Sequence, residues 1–123
     1  MEEKRLLVVE DDLFLRDIYC ETLRNAGYYI EFAKDGNEGL NKIKEGGWDL
    51  VLLDVLLPGM TGIEIMQKLK DTPIAKPNKK TIFLTNMDNP KEVNEMHELG
   101  IEYWIKSELT PDVLLKQIKA RLA

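Results

Sequence analysis

Short runs of apolar residues alternate along this chain with longer segments in which apolar positions recur every three or four residues. The run at 50–53 leads into a carboxylate and turn residues, and it predicts a strand buried on both faces of a parallel sheet. The short runs at 6–9 and 81–85 predict two further strands. Shorter, partly polar runs at 29–33 and 103–105 predict two more strands, the first of them at a sheet edge. The pattern therefore predicts five strands.

Helical spacing of apolar residues separates these strands and predicts five helices. The first has Asp12 as its expected N-terminal cap, shows helical spacing from Leu15 and stops at Gly27. The fourth opens at Asn89-Pro90 and runs through Leu99. The others begin near Gly36, after Gly62 and at Thr110-Pro111. Regular alternation of strands and helices predicts an α/β fold, a doubly wound five-stranded parallel sheet with five helices on its two faces.

Length and charge narrow the class of protein. The 123 residues predict a single domain over 1–123 without an output domain, and 17 basic against 22 acidic residues argue against a general nucleic-acid or membrane-surface binder. The single cysteine, Cys20, excludes an internal disulfide and a cysteine-rich zinc site. With no signal peptide and no apolar run near the ~18 residues of a membrane span, we expect a soluble cytoplasmic domain.

Polar residues whose side chains can bind ions or react lie where the predicted strands end: Glu10, Asp11, Asp54, Thr85 and Lys106. Parallel strands end at one edge of the sheet, about 4.8 Å apart, so the three carboxylates should crowd one crevice. A hard divalent cation such as Mg²⁺ relieves their repulsion, and a lysine and a hydroxyl suit the oxygens of a phosphoryl group. The set predicts metal-assisted phosphoryl transfer onto a carboxylate.

These residues, in this order, make the chain resemble the receiver domains of response regulators in two-component signalling, the family of the bacterial chemotaxis regulator. The resemblance implies a flavodoxin-like fold with strand order 2-1-3-4-5 and Mg²⁺ as cofactor. It implies a sensor histidine kinase or phosphotransfer protein as phosphodonor. It also implies a signalling domain, not an enzyme, that catalyses only its own phosphorylation and dephosphorylation.

The resemblance assigns roles to individual residues. Asp54 matches the phosphoacceptor, Asp11 the direct metal ligand, Glu10 the water-mediated ligand, and the backbone carbonyl of Leu56 the third protein ligand.

Three further residues match the family's switch. Thr85 is similar to the hydroxyl that moves to the phosphoryl oxygen, and Lys106 to the lysine that pairs with it. Tyr103 matches the aromatic switch, with plain packing as its alternative role. The implied output surface is the face of the fourth helix, fifth strand and fifth helix, which binds a downstream protein or a second copy.

The chain departs from the family pattern beside the site. Ser107 replaces the proline that usually follows the lysine, and because a cis bond before a non-proline residue costs about 2.5–4 kcal/mol, we predict a trans Lys106–Ser107 bond and a rearranged loop. Asn86 replaces a small residue and should narrow access for phosphodonors. Leu56 and Met87 should flank the site with apolar bulk and slow hydrolysis of the acyl phosphate.

Two rival functions are open at this point. One is a pseudo-receiver that binds proteins without being phosphorylated, which Ser107 and Asn86 favour. The other is a phosphohydrolase of the aspartyl-phosphate type, which usually places an Asp-x-Asp nucleophile after the first strand. The sequence Glu10-Asp11-Asp12 does not place a nucleophile there.

Overall fold

The structure, a computed structural model, describes residues 3–123 and alternates five strands with five α-helices. The strands are β1 (Arg5–Val9), β2 (Tyr29–Ala33), β3 (Leu50–Asp54), β4 (Thr81–Thr85) and β5 (Glu102–Ile105). The helices are α1 (Leu13–Asn25), α2 (Gly36–Glu45), α3 (Gly62–Leu69), α4 (Pro90–Leu99) and α5 (Pro111–Leu122). None of these helices is long and apolar enough to cross a bilayer.

The strands form one parallel sheet in the order β2-β1-β3-β4-β5. Both the predicted fold class and the strand order implied by the resemblance are confirmed. Pairing of Val9 with Leu53 and of Thr85 with Ile105 brings the carboxyl ends of these strands to one edge. That edge is where open α/β sheets hold their ligand sites.

Two apolar cores lie on opposite faces of the sheet, because successive strand residues point to opposite sides. Leu7 and Val9 belong to the core under α2, α3 and α4, whereas Leu6 and Val8 belong to the core under α1 and α5. All four side chains are fully buried. Burial on both faces is the reason that the central strands read as unbroken apolar runs.

The helices begin at polar caps. The Asp12 carboxylate accepts a hydrogen bond from the Leu15 amide at 2.9 Å and so caps α1. The helix begins at Leu13, directly after Asp12, so the predicted cap is confirmed. Leu13 and Phe14 are 62% and 73% exposed, which is why the inward positions begin only at Leu15.

The connection from β5 to α5 differs from a simple loop. No peptide bond within residues 3–123 is cis, so the prediction of a trans Lys106–Ser107 bond is confirmed. Lys106–Glu108 form one turn of 3₁₀ helix, closed by a hydrogen bond from the Leu109 amide to the Lys106 carbonyl. A rearranged loop was predicted here from Ser107, but the 3₁₀ turn itself was not.

Candidate functional site

A cleft of about 500 Å³ opens at the carboxyl edge of the sheet, where β1, β3 and β5 end. Its lining comes from Glu10, Asp11, Asp12, Leu15, Asp54, Leu56, Asn86, Lys106 and Ser107. The sheet order thus unites side chains that are far apart in sequence. Four of the predicted site residues line this cleft with side chains that can act on a phosphoryl group or a cation: Glu10, Asp11, Asp54 and Lys106.

Lys106 bridges two carboxylates inside the cleft. Its ammonium group donates a hydrogen bond to Asp54 Oδ2 at 2.8 Å and forms an ion pair with Glu10 Oε1 at 2.6 Å. Only 12% of the lysine side chain is exposed. Burial works to lower the pKa of Lys106, but the two carboxylates outweigh it and hold the pKa above its ordinary value. The lysine therefore carries a fixed positive charge beside Asp54.

The acids crowd one another as the sequence predicted. Glu10 is fully buried, Asp54 is 3% exposed and Asp11 is exposed, and one oxygen from each lies within 4.8 Å of the others. Burial, reinforced by the neighbouring Asp54, raises the pKa of Glu10 to about 7 against the pull of Lys106. Burial and Glu10 together also raise the pKa of Asp11. The cluster carries more negative charge than one lysine neutralises.

This donor set fits Mg²⁺. All three side chains offer carboxylate oxygens, the ligands that a hard divalent cation prefers, and no softer nitrogen or sulfur ligand lines the described cleft. A cation there would offset the repulsion from Asp54, which adds to the effect of burial on the pKa of Glu10. Leu56 lines the same cleft and its amide donates to Asp54 Oδ1 at 3.3 Å. Its carbonyl as a further ligand stays a prediction.

The loop after Asp54 is held by close backbone packing. The Gly62 amide donates to the Val55 carbonyl at 2.9 Å, and a Cβ at Gly62 would lie 2.4 Å from the Asp54 carbonyl oxygen. No side chain fits in that space without moving the backbone. Thr61 and Glu64 then start α3 with a capping box. Glycine at position 62 thus lets α3 begin directly against the end of β3.

Thr85 ends β4 and is 4% exposed, with its hydroxyl accepting a hydrogen bond from the Met87 amide at 3.0 Å. Met87 has φ 62°, and it is the one non-glycine residue with positive φ in the described chain. This left-handed turn holds the Thr85 hydroxyl in a defined position. Leu56 lines the cleft as predicted, but the residue that lines it from the β4–α4 loop is the polar Asn86, not Met87.

Tyr103 lies on β5, half-buried on the side of the sheet that faces α4. Its ring centroid is 5.9 Å from that of His97 on α4, with the ring planes inclined by 31°. Sequence analysis did not find this pair, because nothing in the spacing of two residues on different elements reveals a contact between them. Tyr103 thus has an exposed aromatic neighbour on the predicted output face.

Comparison with known proteins shows the family of this chain. Residues 6–119 match the family model described as the response regulator receiver domain. The chain belongs to this family. The resemblance inferred from the strand-end residues is thereby confirmed.

Curated relatives of this receiver domain are longer than it is. The uncharacterised transcriptional regulatory protein YkoG of Bacillus subtilis is 34% identical over 123 residues, covering 99% of this chain and 52% of the relative. The DNA-binding response regulator MtrA of Mycobacterium tuberculosis is 33% identical over 119 residues, covering 97% and 50%. The receiver domain spans about half the length of such relatives, so their DNA binding is not assigned to it.

Solved structures show the same fold. A CheY-like receiver domain protein from Methanospirillum hungatei aligns with a TM-score of 0.84 at 31% identity, covering 98% of this chain and 94% of the other. The chemotaxis response regulator CheY4 of Vibrio cholerae aligns with a TM-score of 0.83 at 29% identity, covering 98% and 99%. Receiver domains of independent regulators therefore share the whole architecture described above.

Proposed function

We propose that this receiver domain accepts a phosphoryl group on Asp54 from the phosphohistidine of a sensor histidine kinase or phosphotransfer protein, with Mg²⁺ as cofactor. The observation that carries the proposal is the contact of 2.8 Å between the Lys106 ammonium group and Asp54 Oδ2 inside the three-carboxylate cleft. Asp54 is a nearly buried carboxylate at the end of a central strand, with the Lys106 ammonium group beside it. The neighbouring Glu10 and Asp11 offer the carboxylate oxygens that Mg²⁺ prefers.

In the transfer, a carboxylate oxygen of Asp54 attacks phosphorus and the phosphorus–nitrogen bond of the donor histidine breaks. The electron pair of that bond stays on the imidazole, and Asp54 becomes an acyl phosphate. Glu10, Asp11 and Asp54 would hold Mg²⁺, which would neutralise negative charge on the phosphoryl oxygens. Lys106 turns from the carboxylate to a phosphoryl oxygen, so its positive charge stays within the site throughout.

The signal then leaves through a face formed by α4, β5 and α5, which we propose as the binding surface for a downstream protein or a second copy of the chain. The Thr85 hydroxyl exchanges the Met87 amide for a phosphoryl oxygen. Tyr103 turns inward and separates from His97. The face changes because both events alter contacts between β5 and α4. Cytoplasmic localisation and the absence of direct nucleic-acid contact stay predictions.

Intact mass after incubation with acetyl phosphate tests the proposal. With Mg²⁺ we expect one phosphoryl adduct, which a chelator abolishes and Asp54→Asn removes. The control is Asp71→Asn, which changes an exposed carboxylate of a surface loop and should leave the adduct intact. An adduct that persists in Asp54→Asn would place the phosphoryl group elsewhere. If acetyl phosphate and a panel of kinases all give no adduct, the non-phosphorylated interaction scaffold becomes the better function.

A further inference from the structure

Arg16 on α1 reaches back to the residue that begins the acidic turn. Its guanidinium Nη1 donates a hydrogen bond to the backbone carbonyl of Glu10 at 3.2 Å. Glu10 comes directly after β1, and its own amide donates to the Ala33 carbonyl of β2 at 3.1 Å. Both backbone groups of Glu10 are therefore held, one by the neighbouring strand and the other by a side chain of α1.

The turn that Arg16 contacts carries two of the three clustered carboxylates. Residues 10–12 join β1 to α1, and all three are acidic. Glu10 and Asp11 belong to the candidate metal cluster, where like charges repel one another and favour an opening of the turn. The Lys106 ammonium group contacts the side chain of Glu10, whereas Arg16 contacts its backbone. The contact from Arg16 therefore fixes the chain at the point where it leaves β1 toward Asp11.

The guanidinium group of Arg16 is itself oriented by Phe32. The Arg16 Cζ lies 4.6 Å from the centroid of the Phe32 ring, well within the range of a cation–π contact. Phe32 lies on β2 and is 40% exposed, so burial gives little reason for an aromatic ring there. A planar ring supports the planar guanidinium group in one orientation. The stacked arginine thus presents its N–H to the Glu10 carbonyl.

An arginine is unfavourable at this position if only packing matters. Arg16 is half-buried, and its Nε is buried with no hydrogen-bond partner among residues 3–123. A buried donor without a partner lowers stability, and a methionine would cover the same surface without one. The hydrogen bond to the Glu10 carbonyl is the contact that methionine could not make.

We propose that Arg16 is a positioning residue for Mg²⁺ binding, holding the turn at residues 10–12 so that the Glu10 and Asp11 carboxylates face the cleft. This inference rests on the proposed magnesium site. Arg16 is not among the described residues that line the cleft, so it acts through the turn and not on the metal. The sign of its effect is diagnostic, because a positive charge near the site repels Mg²⁺. Loss of that charge alone would tighten Mg²⁺ binding, whereas loss of a positioning residue weakens it.

Arg16→Met keeps an unbranched apolar stem and removes the guanidinium group. We expect the Mg²⁺ dissociation constant, measured by calorimetry, to rise about tenfold, a usual effect of losing a group that orients a metal ligand. Phosphorylation by acetyl phosphate at saturating Mg²⁺ should stay within about twofold of the wild-type rate, because the ligands themselves are unchanged. A merely structural arginine would instead give a lower melting temperature with an unchanged dissociation constant.

Arg24→Met is a matched control on the same helix. Arg24 also donates to a backbone carbonyl six residues away in sequence, that of Ile30 at 3.2 Å, but it is not among the described residues that line the cleft. Its loss should leave the Mg²⁺ dissociation constant within about twofold of wild type, because no metal ligand is oriented by it.

Phe32→Leu tests how the guanidinium group is oriented. It should raise the Mg²⁺ dissociation constant about threefold in the wild-type background, through loss of the stacking contact. Beside Arg16→Met it should have no further effect, because the group it orients is gone.

Three results would overturn the inference while leaving the proposed magnesium site standing. These are unchanged or tighter Mg²⁺ binding in Arg16→Met, an equal loss in Arg24→Met, and a loss from Phe32→Leu that persists beside Arg16→Met. Failure of the wild type to bind Mg²⁺ would instead refute the magnesium site of the proposed function, and this inference with it.

Discussion

Replacing Glu10 by glutamine should stabilise the metal-free protein above pH 7 while weakening Mg²⁺ binding. The pKa of this fully buried carboxyl rises from 4.5 to about 7 on folding. Between these values the folded chain binds a proton that the unfolded chain has lost, so stability falls as pH rises from about 4.5 to about 7 and stays low above that. Glutamine cannot ionise, and so removes this loss.

The size of the effect follows from the pKa. The difference between 4.5 and about 7 corresponds to about 3 kcal/mol, at about 1.4 kcal/mol for each pH unit. This difference already includes the attraction of Lys106, which works to lower the pKa, and the lysine keeps its hydrogen bond to Asp54 in the variant. We therefore expect a net gain of about 2 kcal/mol at pH 8. Asp11, whose pKa is also raised, should leave the variant with a shallow slope of the same sign.

Urea unfolding with a chelator at pH 5 and pH 8 measures this effect. Wild type should lose about 2–3 kcal/mol between the two pH values, whereas Glu10→Gln should lose much less. Glu21→Gln, which changes an exposed acid on α1, should follow wild type. Adding Mg²⁺ at pH 8 should stabilise wild type more than the Glu10 variant, since ligand binding adds to the free energy of unfolding. Flat or rising wild-type stability from pH 5 to pH 8 without metal would refute this account of the cleft.

Three further substitutions test the switch, the loop and the sheet edge. Gly62→Ala should lower the free energy of unfolding in urea by about 2 kcal/mol, because its Cβ would meet the Asp54 carbonyl; an unchanged value would contradict the packing. His97→Ala should tighten binding of Mg²⁺ and beryllium fluoride, measured by calorimetry, by about two- to tenfold, because Tyr103 then has no aromatic contact with His97 to leave. Weaker binding would contradict this. Glu102→Gln should lower the free energy of unfolding in urea by about 1 kcal/mol at pH 7, because its ion pairs with Lys80 and Arg121 are lost. The pKa of Glu102 in the folded protein is about 2, so the difference from wild type should vanish as pH falls from about 4.5 to about 2. A difference that persisted at pH 2 would count against that pairing.

Local patterns were enough to predict most elements. The bounds of β4 and α4 agree with prediction because β4 is a buried run between polar residues, and α4 has proline at its start and glycine after its end. The order of the acids, Thr85 and Lys106 along the chain also sufficed to predict one shared edge. Parallel strands joined by right-handed crossovers must end on the same side of the sheet, whatever the details of packing.

Sequence patterns failed where a feature depends on contacts between distant elements. The 3₁₀ turn at Lys106–Glu108 was not predicted, because three residues have no periodicity to detect. The pairing of His97 with Tyr103 joins two elements and leaves no trace in spacing.

The sequence by itself determined the fold class and the identity of the charged groups at the strand ends, because burial periodicity and chain direction are local properties of the chain. Only the tertiary structure decided that Lys106 contacts both Glu10 and Asp54, and that Glu10 is fully buried. These relations depend on how side chains from separate elements meet in three dimensions. The physical reason is that burial sets the pKa of Glu10, and the distance from Lys106 to Asp54 sets the attraction between their charges. Both the burial and the distance arise only when the sheet and helices assemble.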